Sequence, residues 1–194
     1  IDAAAQLSGN YSMLKRPESK KMEVSQVFRE QITAVADAYF KVKNALVKGD
    51  VPTAKSALKQ MQALQDKVKL QNLNRNAHDH WIVLNEQLSD GVKMMISSDK
   101  LETQREHFAL LSAHIIEMTE SFGLEKDKVF KSFCPMAFDD KGAFWLSESK
   151  DIRNPYYGDA MLTCGEVKET YLKDQRVNKN ENLTQNPSTG AYNH

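Results

Sequence analysis

Four sulfur atoms stand in two short pairs, Cys134-Pro135-Met136 and Met161-Leu162-Thr163-Cys164, and they include both cysteines of the chain. Thiolate and thioether are soft donors that favour Cu(I) and similar ions, whereas zinc sites use cysteine, histidine and carboxylate and rarely a thioether. In extended backbone a Cys-x-Met pair points both side chains to one face, and a Met-x-x-Cys pair meets on one face of a turn or helix. Two thiols and two thioethers would then converge if the chain between them folded back. That chain is built for tight turning. Asp140-Lys141-Gly142 and Asn154-Pro155-Tyr156-Tyr157-Gly158 are turn sequences, and Ala143-Phe144-Trp145-Leu146 between them suits a short buried strand. Folding the segment back would bring Cys164 beside Cys134.

The words of this segment are CPMAF at 134–138, KGAFWLS at 141–147, IRNPYYG at 152–158 and MLTCGEV at 161–167. Together they resemble a small family of uncharacterised cell-envelope domains of Gram-negative bacteria, which occur alone or at the ends of periplasmic adaptor subunits of copper and silver efflux pumps. The upstream stretch QREHFALLS, 104–112, is similar in character. The resemblance implies a periplasmic helical bundle with an appended sulfur-rich segment, and the implied metal ligands are Cys134, Met136, Met161 and Cys164. The expected cargo is Cu(I) or Ag(I), the expected role buffering or hand-over in heavy-metal homeostasis or efflux, and the expected protein partner an efflux adaptor.

The competing reading is a Cys134–Cys164 disulfide with two packed methionines, in a structural or protein-interaction module of an efflux or envelope complex. A periplasmic compartment permits it. Closing a loop of about 30 residues would stabilise the fold by roughly 3.6 kcal/mol on the chain-entropy account. Free structural thiols are the third reading. His78 and His80 flank Asp79 at the start of a helix and read as solvated. His107 and His114 lie two turns apart along one helix side and read as packed or surface residues, with a fifth ligand or second site as the alternative. The aromatic residues Phe130, Phe133, Phe138, Phe144, Trp145, Tyr156 and Tyr157 are expected to form a satellite core that pins the sulfur segment to the bundle.

An enzyme is not expected. No Glu-x-x-His pair marks a di-iron bundle, no Cys-x-x-Cys-His marks a haem site, and nucleophile-elbow, phosphate-loop and dinucleotide patterns are absent from the sequence. Twenty-six basic and 26 acidic residues cancel, so no basic field draws nucleic acid, and no apolar run approaches a membrane span. The opening residues lack the charged and apolar regions of a signal peptide. The chain is therefore expected to be either intracellular or a mature form with its leader removed, and the resemblance favours the second.

Four amphipathic stretches must position the sulfurs. Apolar residues recur at spacings of three and four from Val24 to Leu46, Ala54 to Val68, Trp81 to Ile96 and Leu101 to Phe122. Gly49 and Gly123 are expected stops, Pro52 sits in a first turn, and Asp99 with Glu102 spells a capping box. The expected fold is therefore all-α, an antiparallel up-and-down four-helix bundle over 23–124 whose stripes bury one another. A flexible arm is expected at 1–22, an irregular, short-strand metal-binding segment at 125–172, and a disordered polar tail at 173–194.

Overall fold

The computed structural model describes residues 21–173. The polar tail expected after Lys173 lies outside these residues, as does the expected arm apart from Lys21 and Met22. Four helices come first: α1 Gln26–Val47, α2 Val51–Gln65, α3 Arg75–Ile96 and α4 Leu101–Phe122. Three of them start on a side-chain cap. Ser25 accepts from Phe28 N–H, Asp50 from Thr53 N–H and Asn74 from Ala77 N–H, each filling one of the donors a first turn leaves unpaired. Pro52 stands in the first turn of α2, where its missing N–H removes no bond.

The expected capping box of α4 does not form. Its N-cap is Lys100, without a side-chain cap, because the Asp99 carboxylate is taken by Lys55 on α2. Gln104 stabilises this corner instead, donating to Met95 C=O and Ser98 C=O at 3.1 Å each at the end of α3. Gly123 closes α4 with φ +73°, which a residue without Cβ adopts freely.

The chain is not purely helical. After α4 come β1 Lys128–Cys134, a single turn α5 Ala137–Asp140 that is left-handed at Phe138, Asp139 and Asp140 (φ +55° to +61°), β2 Ala143–Ser147, a 3-10 turn Gly158–Met161 and β3 Glu166–Leu172. The strands form an antiparallel sheet in the order β2-β1-β3. The expected strand at 143–146 is β2, but β1 and β3 are additions to the sequence reading. Their signal is the period-two run Val129, Lys131, Phe133 and its counterpart Val167, Glu169, Tyr171. In β3 a bulge at Lys168, opposite the Lys131–Ser132 step of β1, breaks that period.

The sheet does not form a satellite core. Val129, Cys134, Ala143, Trp145, Leu146 and Tyr156 belong to the same continuous cluster of buried residues as Tyr39, Phe40, Leu58, Trp81 and Phe108 of the helices. Successive helices pack against one another, and β2 lies against both α4 and α1. The aromatic residues divide by face. Trp145 and Tyr156 point inward, 5.9 Å apart edge to face, while Phe133 and Phe144 pair across the outer face at 4.5 Å. Among the described residues no helix is long and apolar enough to cross a membrane.

Candidate functional site

Cys134 ends β1, the central strand, and is fully buried; Cys164 lies half-buried in the turn between the 3-10 segment and β3. Their sulfurs are 2.8 Å apart. The chain has thus folded back over a separation of 30 positions to place one thiol on the other. The hydrogen bond to Cys134 raises the Cys164 thiol pKa, and burial adds to the effect. The Met136 N–H faces the Cys164 sulfur and opposes it.

The two methionines stand beside the pair, but not as extended backbone would place them. Pro135 has no N–H to continue a strand paired on both sides, so β1 stops at Cys134 and Met136 takes helical dihedrals as the N-cap of α5. The period of two therefore does not carry Met136 to the face of Cys134. Its side chain is 47% exposed. Met161 ends the 3-10 turn, half-buried, and its carbonyl accepts from Cys164 N–H at 3.1 Å. Both methionines thus meet Cys164 through their backbone.

Asn154 organises the loop that carries Cys164. It is completely buried. Its side-chain amide donates to Cys164 C=O at 2.9 Å, and its Oδ1 accepts from Tyr156 N–H at 2.8 Å. Its backbone N–H donates to Leu162 C=O at 2.8 Å, and its C=O accepts from Gly158 N–H at 3.0 Å. One side chain and one peptide unit thus satisfy four partners, which makes the Asn-Pro-Tyr-Tyr-Gly sequence a rigid corner. Two glycines allow the close approach. A Cβ on Gly165 (φ +132°) would lie 2.9 Å from both Phe133 O and the Trp145 ring, and one on Gly158 (φ +54°) would lie 2.6 Å from the Arg105 guanidinium.

Arg105 ties this corner to the bundle. Its Nε donates to Pro155 C=O at 2.9 Å and its Nη2 to Leu46 C=O at 3.0 Å, a carbonyl in the last turn of α1 that also accepts from Gly49 N–H at 3.1 Å. A buried chain of hydroxyls runs alongside. Leu146 N–H donates to Tyr39 OH at 3.1 Å, and Tyr39 bonds Ser112 Oγ at 2.7 Å. Tyr156 OH, buried close by, donates to Phe144 C=O. Burial pushes both phenols up, so they stay neutral. Tyr157 closes the outer side, its OH donating to Met136 C=O.

These positioning residues were not legible as such. Arg105, Phe108 and Ser112 lie in QREHFALLS, where they read as an ordinary helix, and nothing local tells which carbonyl Arg105 reaches. Asn154 had a signal, an Asn-Pro turn start. The histidines fall elsewhere than a solvated start alone would put them. His78 meets Asp79, while His80 reaches α4 to bond Ser121 at 3.0 Å, with Glu117 at 3.6 Å. His107 and His114 are half-buried on α4, and burial lowers the His114 pKa. Among the described residues no three His, Cys, Asp or Glu side chains gather as a metal site would need.

Two thiols in contact can do two things. They can lose two protons and clasp a soft ion, or lose two protons and two electrons to an oxidant and close into a disulfide. Comparison with known proteins bears on the scaffold more than on the thiols. No curated protein and no solved structure matches the chain. Residues 35–127, from within α1 to the residue before β1, match the family model described as "Protein of unknown function (DUF3347)", so the match holds Tyr39, Arg105 and Ser112 and stops short of both cysteines.

Proposed function

We propose that this is a periplasmic, non-enzymatic protein that holds Cu(I) or Ag(I) as cargo between Cys134 and Cys164 and passes it on in heavy-metal homeostasis or efflux. A periplasmic adaptor subunit is the partner that fits this reading. The observation that carries it is the contact of two thiols brought together from 30 positions apart, on a corner fixed by Asn154 and Arg105. The donor set is soft: two thiols, with the thioether residues Met136 and Met161 beside them. Thiolate-metal bonds of about 2.3 Å would hold two sulfurs roughly 3.8 Å or more apart. Loading therefore needs the pair to part by roughly 1 Å from its 2.8 Å contact, and of the two it is the half-exposed Cys164 that borders solvent.

A second reading rests on the burial of Cys134 and on the same contact. Oxidation would close the pair with little displacement and turn the segment into a fixed interaction module. Thiol counting on protein purified with and without air, followed by Cu(I) competition against a chelator after anaerobic reduction, separates the two. Soft-ion binding predicts tight 1:1 uptake by the reduced protein, loss of it in Cys134→Ser and Cys164→Ser, and only weakening in Met161→Leu. Each bound ion should release thiol protons, so affinity should fall as pH falls. The raised Cys164 pKa extends that proton competition to higher pH. A double-serine variant that holds Cu(I) as tightly as the parent would overturn the reading and direct attention to His78, His80, His107 and His114.

A further inference from the structure

The four sulfur residues differ sharply in access. Cys134 is fully buried in the same core cluster as Trp145 and Tyr156, and Cys164 is half-buried. Met161 is half-buried at the end of the 3-10 turn, whereas Met136 projects into solvent with 47% of its surface exposed. Met136 is held at the mouth of the site by its backbone, its N–H facing the Cys164 sulfur and its C=O accepting from Tyr157 OH. The exposed carboxylates Asp139 and Asp140 follow it in α5, and they lie within electrostatic reach of the same Tyr157 hydroxyl as both thiols. By exposure the donors therefore run from the carboxylates of Asp139 and Asp140 and the thioether of Met136, all open to solvent, through half-exposed Cys164 to buried Cys134.

We infer that Met136 is the entry and exit ligand of the site, which catches a soft ion and relays it to Cys164, rather than a resident ligand of the loaded state. The inference rests on the soft-ion reading above. A neutral thioether binds soft ions weakly and exchanges them quickly, which suits a relay, while thiolate charge suits the resting place. The exchange is associative and involves no redox change. The incoming ion bonds Met136 sulfur as it loses a solvent or carrier ligand. Cys164 then loses its proton to water and takes the ion, freeing Met136, and Cys134 loses its proton in turn as the second bond forms.

Stopped-flow mixing of the reduced protein with silver nitrate in chloride-free buffer, read by silver-thiolate absorbance, tests the order, with Ag(I) affinity measured separately by chelator competition. Met136→Leu preserves volume at an exposed position and should leave the fold and affinity nearly unchanged while slowing uptake and release by about tenfold. Met161→Leu should not slow uptake. Unchanged rates in Met136→Leu would overturn the relay while leaving the thiol site standing. A loss of affinity that matches the loss in rate would make Met136 a resident ligand instead. A parent protein that takes up no Ag(I) would sink both this inference and the reading beneath it.

Discussion

Lys43 shows how a single side chain can sit against its own chemistry. It is 5% exposed on α1, and among the described residues its amine has only Ser147 Oγ, at 3.5 Å, as a hydrogen-bond partner. Burial lowers its pKa, the Glu148 charge opposes the shift, and Arg153 adds to it. In the window from that lowered value up to the unfolded value near 10.4, the unfolded chain holds the proton more tightly. Stability therefore gains a contribution as pH rises through the window, and below it the cost of the buried charge is present in full. Lys43→Met should stabilise the protein at neutral pH by about 1 kcal/mol and flatten this alkaline gain, as measured by thermal unfolding between neutral pH and pH 10. A lower melting temperature for the variant at neutral pH would mean that the amine contributes net stabilisation.

At the scale of the element, the corner from Asn154 to Gly165 sets the thiol geometry. Removing the Asn154 amide leaves Cys164 C=O and Tyr156 N–H without their side-chain partner in a buried setting, which costs about 2 to 3 kcal/mol. Asn154→Ala should lower the melting temperature and, in protein that remains folded, slow oxidative closure of the dithiol, because Cys164 is no longer held over Cys134. Closure can be followed by thiol titration after addition of a mild disulfide oxidant, with Lys55→Ala, at a surface ion pair far from the corner in the chain, as the comparison. An unchanged closure rate would show that the strand β3 alone positions Cys164.

At the scale of the whole molecule, the helices share one core with the sheet. Tyr39 and Phe108 stack at 5.0 Å between α1 and α4, and Leu146 and Tyr156 from the C-terminal segment complete their surroundings. Four amphipathic stripes would suggest a bundle that folds without residues beyond 124. The structure predicts otherwise: a chain truncated after Leu124 should keep helical circular dichroism but lose near-ultraviolet signal and bind a hydrophobic dye, since the inward faces of Trp145, Leu146 and Tyr156 are gone. Cooperative unfolding of that fragment with a sharp calorimetric transition would show that the bundle is self-sufficient.

The sequence by itself determined the helices, because a spacing of three and four and the caps Ser25, Asp50 and Asn74 are local properties read within a few residues. It also marked the segment where the thiols lie and the turns that fold it, since Gly142, Asn154 and Gly158 act on their own backbone. Contacts across long separations decided the rest. Whether Asp99 capped α4 or paired with Lys55 depended on where α2 ran. The pairing of β1 with β3 joined residues about 40 positions apart and passed through a bulge that hid its period. That Arg105 would grip Pro155 and Leu46, and that Cys134 would be buried while Met136 stayed in solvent, followed only once the sheet had closed over the seam between α1 and α4. A short-range pattern can name the donors of a site, but their order from solvent to core is a property of the packed chain.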